Sequence, residues 1–176
     1  GCLSGGGSYY KPKPLYDNMT KVNELPDDYY YTTAISDSAV SFVRQHPSDE
    51  PMFLYVAHYA PHLPLHAPAE RGEQCMERYK VGYDELRRLR FEKQKKLGLI
   101  PEGMELPVHH REFGGKRPAW NELTEKQRQQ WVKDMATYAA MIEIVDEGIG
   151  RLVEEIRRKG MLENTVFLFL SDNGAT

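Results

Sequence analysis

Eight apolar residues, Trp131, Met135, Tyr138, Ile142, Val145, Ile149, Leu152 and Ile156, recur alternately four and three positions apart. That spacing returns to the same side of an α-helix every two turns, so it draws one continuous apolar stripe along a single long helix. Thr124 and Gln127 stand at the spacing of a capping box at its start, and Gly160 supplies a C-terminal stop. A stripe of this kind must be covered. It could serve as a coiled-coil seam, which would make the chain a helix-mediated interaction module. A short turn after the helix, however, comes the apolar run 165–170, and a long helix feeding a buried strand is better placed on a sheet.

The remaining elements fit that picture. Ile35, Ala39, Phe42 and Val43 share one helical face, predicting a helix over about 32–45 that ends before Pro47. Residues 52–57 form a continuous apolar run after Pro51, the pattern of a strand buried on both faces. A second helix is predicted over 82–97. Residues 1–28, rich in Gly, Pro, Tyr and Asn, read as an irregular covering segment, with Gly5, Gly6 and Gly7 as a flexible turn rather than an anion cradle. Residues 98–121 form a long connection of the kind that often shapes a binding rim. Helix, strand, helix, long loop, long helix, strand is the order of an α/β fold with a mostly parallel sheet and helices on both faces. Two strands cannot cover this much helix, so most of the sheet is expected outside the sequence.

Composition narrows the function. Charged residues are 28% of the chain and the formal net charge is −3, with no basic run beyond Arg87-Arg88 and Lys95-Lys96, which disfavours nucleic acid as a partner. No apolar run approaches the roughly 18 residues of a membrane span. Cys2 and Cys75 make neither a zinc spacing nor a disulfide framework. No signal-peptide pattern gives the compartment.

The chemistry-bearing residues are placed by topology. If the two strands are parallel, the loop after Ala57 and the turn after Leu170 leave the same sheet edge, where α/β proteins hold ligands. His58, His62 and His66 then start near Asp172 and Asn173. The histidines imitate a helical metal site, but Pro61, Pro64 and Pro68 exclude a helix, so a three-histidine zinc site is set aside. One histidine acting as a hydrogen-bond or proton donor is the better reading. His58 and His66 read as packing residues of the loop. Asp172 and Asn173 offer the oxygen ligands a hard cation takes, although Asp-Asn-Gly is also a common turn sequence. His109 and His110 read as solvent-exposed, and Glu143 and Asp146 as charges flanking the stripe. No G-x-S-x-G, Walker loop or H-E-x-x-H occurs.

Taken together, several segments resemble the sulfatase family, specifically bacterial-type arylsulfatases. Phe53-Leu54-Tyr55-Val56-Ala57 followed by Pro61-His62-Leu63-Pro64 is similar to the family's strand and H-x-P loop. Tyr83-Asp84-Glu85-Leu86-Arg87 through Gly98-Leu99-Ile100-Pro101 resembles the segment after it. Tyr138-Ala139-Ala140-Met141, Val145-Asp146 and Ile149-Gly150-Arg151-Leu152 match the long helix, and Asn164-Thr165 through Ser171-Asp172-Asn173-Gly174-Ala175 matches the strand entering the metal site.

The resemblance implies an alkaline-phosphatase-like α/β fold that hydrolyses sulfate esters with one Ca²⁺. It also implies a formylglycine, made from a Cys or Ser in a Cys/Ser-x-Pro-x-Arg motif, whose hydrate attacks sulfur. Carried over by motif, Asp172 and Asn173 would be Ca²⁺ ligands and His62 would touch the sulfate. The family is largely periplasmic or secreted. Trp120, in the long connection, is a candidate substrate contact. Departures are clear: Cys2 precedes Leu3-Ser4-Gly5 and Cys75 precedes Met76-Glu77-Arg78, so neither is the convertible residue. The family's earlier Asp-Asp ligands, its Gly-Lys-x-His segment and a sulfate-binding lysine are also missing. Residues 1–176 are therefore expected to be an internal fragment of a sulfatase catalytic domain. It lacks the N-terminal nucleophile segment and the C-terminal part, needs the rest of the domain as its partner, and is inactive alone. The alternatives are a phosphonate monoester hydrolase or phosphodiesterase of the same superfamily, and a non-catalytic relative that binds sulfated glycans.

Overall fold

The computed structural model describes residue 2 and residues 7–107 and 118–171. Helices dominate them: α1 (Tyr31–Gln45), α2 (Ala69–Tyr79), α3 (Tyr83–Lys96) and α4 (Glu125–Arg158), with single 3₁₀ turns at Trp120–Glu122 and Leu162–Asn164. The chain divides into two compact units, one of residues 1–64 and 142–176, the other of 65–141.

The long helix begins and ends as its sequence dictates. The Thr124 amide donates to Gln127 Oε1 at 2.9 Å and the Gln127 amide donates back to Thr124 Oγ1 at 3.3 Å, a reciprocal capping box. At the other end Gly160 takes φ +71°. Its amide donates to the Arg157 carbonyl at 2.9 Å and that of Met161 to Ile156 at 3.1 Å, the paired bonds of a Schellman stop.

Within residues 65–141 the core is built from Cys75 and Tyr79 of α2 against Ala136, Ala139 and Ala140 of α4, with Leu86, Val132 and Met135 around them. Helix α2 has no counterpart among the sequence expectations, because its surface is mostly charged and only Cys75, Met76 and Tyr79 reach the core. Gly82 caps α3 with φ +83°, and a Cβ there would lie 2.4 Å from the Trp120 indole. Only glycine combines that backbone with that approach.

In the unit of residues 1–64 and 142–176, α1 packs against the last turns of α4. Ser36 and Gly148 mark the closest approach. Arg44 forms a fork on Glu155, with Nε and Nη2 at 3.3 and 3.1 Å from its two carboxylate oxygens. Those hydrogen bonds hold the Glu155 carboxyl below its ordinary range, against the opposing effect of burial. Lys159 donates to the carbonyls of Arg44, in the last turn of α1, and of His46, the residue that caps it.

Three expectations change. Residues 1–28 are not wholly irregular. They carry the hairpin β1 (Leu15–Asp17) and β2 (Thr20–Val22), with Leu15 opposite Val22 and Asn18 at φ 50° in its turn. The buried side of α4 runs through Ala136, Ala139, Ala140, Ile144 and Gly148, while Trp131 and Ile142 of the stripe stay about two-fifths exposed (38% and 43%). Met141 and, from the stripe, Ile156 are buried with them, so small and large apolar side chains share the buried side. Finally, β1–β2 is the one named sheet among the described residues, and neither 52–57 nor 165–170 has a ladder partner there. The mostly parallel sheet is thus not formed among them. Burial along 51–58 alternates residue by residue, with Phe53 and Tyr55 bare.

Candidate functional site around His62

The loop after residue 57 is built on tyrosines. Tyr9 is fully buried, stacks against Tyr30 with ring centroids 5.8 Å apart, and meets Tyr59 at 5.1 Å. Its hydroxyl donates to the carbonyl of His62 at 2.8 Å. Burial above all, and then the neighbouring Tyr30 and Tyr59, push the Tyr9 phenol well up, so it remains a donor at any physiological pH. Tyr30 is pushed up to about 12, chiefly by burial.

His62 lies on this platform. Its ring stacks on Tyr59 at 4.9 Å with an interplanar angle of 24°. Its amide donates to the Tyr59 carbonyl at 3.0 Å, closing a turn. Nδ1 lies 2.6 Å from the Leu63 carbonyl oxygen, which also accepts the Tyr59 hydroxyl at 2.8 Å. A carbonyl can only accept, so Nδ1 carries the proton and Nε2 is the ring nitrogen left for other chemistry. His62 is exposed, and Nε2 makes no hydrogen bond among the described residues.

His58 is half-buried, its Nδ1 has no partner among the described residues, and burial lowers its pKa. His66 belongs to the unit of residues 65–141. Among the described residues no group of three or more His, Cys, Asp or Glu is gathered for a metal ion. Asp172 and Asn173 lie outside the described residues, as do His109 and His110. Glu143 is half-buried and Asp146 exposed. Cys75 is a core residue and not a nucleophile.

Trp120 is firmly placed. Its amide donates to Asp84 at 2.9 Å, and Tyr83 meets it edge-on at 5.3 Å. Together with Tyr83, Trp131, Arg87 and Arg90 it lines an open cavity of about 490 Å³. Its first task is therefore to wall α3 against the start of α4. Sequence reasoning missed Tyr9 and Tyr59. Nothing but the abundance of tyrosine, 11 in the chain, hinted at an aromatic platform.

Comparison with known proteins gives the chain a family. The sulfatase profile matches residues 4–176. An arylsulfatase of Klebsiella aerogenes is 38% identical over 151 residues, which cover 86% of this chain and 32% of that protein. An uncharacterized sulfatase of Schizosaccharomyces pombe is 32% identical over 188 residues, covering 98% of this chain and 33% of that protein. The N-sulphoglucosamine sulphohydrolase of Homo sapiens is 28% identical over 130 residues, or 74% of this chain and 22% of that protein. The chain spans about a third of the length of the first two relatives. No helix among the described residues is long and apolar enough to cross a membrane. The chain belongs to the sulfatase family.

Proposed function

We propose that the protein carrying this chain is an arylsulfatase-like hydrolase of sulfate esters, and that His62 contacts the sulfate through Nε2. The observation that carries this reading is the fixed imidazole: an exposed ring whose Nδ1 proton is committed to the Leu63 carbonyl, leaving Nε2 open. In the neutral ring Nε2 accepts a hydrogen bond; in the imidazolium it donates one. As the imidazolium, the ring can donate to a sulfate oxygen or to the leaving-group oxygen as negative charge develops there.

Asp172 and Asn173 would hold a Ca²⁺, since carboxylate and amide oxygens are the donors such an ion takes. That ion would neutralise sulfuryl charge, and a formylglycine elsewhere in the protein would supply the attacking oxygen. The runs 52–57 and 165–170 are strands of a larger parallel sheet in this reading, supported by the bare apolar side chains of both, which such a sheet and its helices would cover. A periplasmic or secreted location belongs to the same reading, on family resemblance.

Turnover of 4-nitrophenyl sulfate, a phosphonate monoester and a phosphodiester by the full-length protein tests it. The sulfate ester should show the highest kcat/KM. Faster turnover of the phosphonate or phosphodiester would move the assignment to phosphoryl chemistry. Binding of sulfated glycans without any turnover would make the protein a non-catalytic relative.

A further inference from the structure

The geometry points to Tyr9 and Tyr59 as positioning residues that lock His62 in its Nδ1–H tautomer and aim Nε2 outward. This rests on the reading of His62 as the sulfate contact. Two hydroxyls and one ring do the work. Tyr9 holds the His62 carbonyl at 2.8 Å from a fully buried position, across 53 residues of sequence. Tyr59 holds the next carbonyl, that of Leu63, also at 2.8 Å, and its ring lies against the imidazole. The Leu63 carbonyl is the acceptor that selects the tautomer, so the residue fixing that carbonyl also fixes which nitrogen is protonated. Tyr9 and Tyr59 touch each other as well, joining both anchors into one unit.

Such a platform removes two freedoms of an exposed histidine, rotation about its side-chain torsions and exchange between tautomers. Groups that orient a metal-ligating histidine through its other nitrogen change activity about 10–100-fold when lost, and the tyrosines, which fix the carbonyl on that nitrogen and the ring itself, are expected to act on that scale. Neither tyrosine needs to contact substrate for this. Their effect runs through His62 alone.

The test uses full-length protein in which histidine is ¹⁵N-labelled, with His62→Gln identifying the His62 signals. Imidazole ¹⁵N shifts separate the Nδ1–H from the Nε2–H tautomer. The wild-type neutral ring should be Nδ1–H. Tyr59→Leu, which removes stack and hydroxyl, should give a tautomer mixture and about a 10–100-fold lower kcat/KM on 4-nitrophenyl sulfate. Tyr59→Phe and Tyr9→Phe each keep the ring and lose one hydrogen bond. Both should fold like wild type by thermal melting and show the same changes to a smaller degree. A purely structural role would lower the melting temperature and leave the tautomer alone. An Nε2–H or mixed ring in the wild type would overturn the proposal, as would unchanged tautomer and kcat/KM in every tyrosine variant while His62→Gln is inactive. If His62→Gln keeps full activity, the functional reading fails instead, and the tautomer signals still decide whether the clamp exists.

Discussion

Gly148→Ala puts the packing of α1 on α4 to a quantitative test. In an exposed helix this change is favourable by about 1 kcal/mol, because alanine is the better helix former. Here an added Cβ would stand 2.1 Å from Ser36 Oγ and 2.8 Å from Ser36 Cβ. Both distances fall well short of van der Waals contact at about 3.5 Å. The hydroxyl can rotate away, at the loss of its 3.2 Å bond to the Thr32 carbonyl, worth about 0.5–1.5 kcal/mol. The Cβ cannot move without the backbone, so α1 and α4 must separate, and overpacking of this kind costs about 1–3 kcal/mol. The sum is a destabilisation of about 1–3 kcal/mol after the helix gain. Urea unfolding of the full-length protein reads it, with Ser36→Gly and the double variant completing a cycle. Because Ser36→Gly removes both clashing atoms, Gly148→Ala should become neutral or stabilising in that background. A stabilisation of about 1 kcal/mol by Gly148→Ala alone would refute the close approach.

Gly82→Ala meets two obstacles, a backbone at φ +83° and the Trp120 indole at 2.4 Å, and should cost about 2–4 kcal/mol with altered tryptophan fluorescence; an unchanged urea midpoint would contradict it. Burial depresses His58 below its ordinary 6.5, so the unfolded chain binds that proton first. Its contribution to stability is whole above about pH 6.5 and is lost as pH falls below it; His58→Gln should flatten that acid-side loss of the urea midpoint. The buried Tyr30 is raised from 10.0 to about 12, so its contribution is whole below about pH 10 and declines as pH rises toward 12. Tyr30→Phe should reduce the alkaline slope of the urea midpoint, and an equal slope in both proteins would show that the phenol is not desolvated.

What the sequence made legible is local. Helices α1 and α4 followed from apolar spacing and end signals, α3 matches the helix expected over 82–97, and the capping box of Thr124 and Gln127 and the stop at Gly160 form as their residue types require. Helix α2 was hidden because a charged surface and a three-residue core contact give little periodic signal. The stripe on α4 holds at Ile156 and Met135 but not at Trp131 and Ile142, because hydropathy overlooks Ala136 and Gly148, whose small side chains let helices pack closely. Strand pairing is non-local, and the runs 52–57 and 165–170 have no ladder partner among the described residues. For the candidate site, the H-x-P pattern singled out His62, but the tautomer depends on carbonyls and on a tyrosine 53 residues away. No spacing rule reaches that far.

The central claim is that Nε2 of His62 works on a sulfate ester. The measurement that tests it most directly is the rate of sulfate release from 4-nitrophenyl sulfate by the full-length protein and its His62→Gln variant. The account predicts turnover by the wild type and a fall in kcat/KM of about 100-fold or more in a variant that melts normally. Equal rates in the two proteins would contradict it.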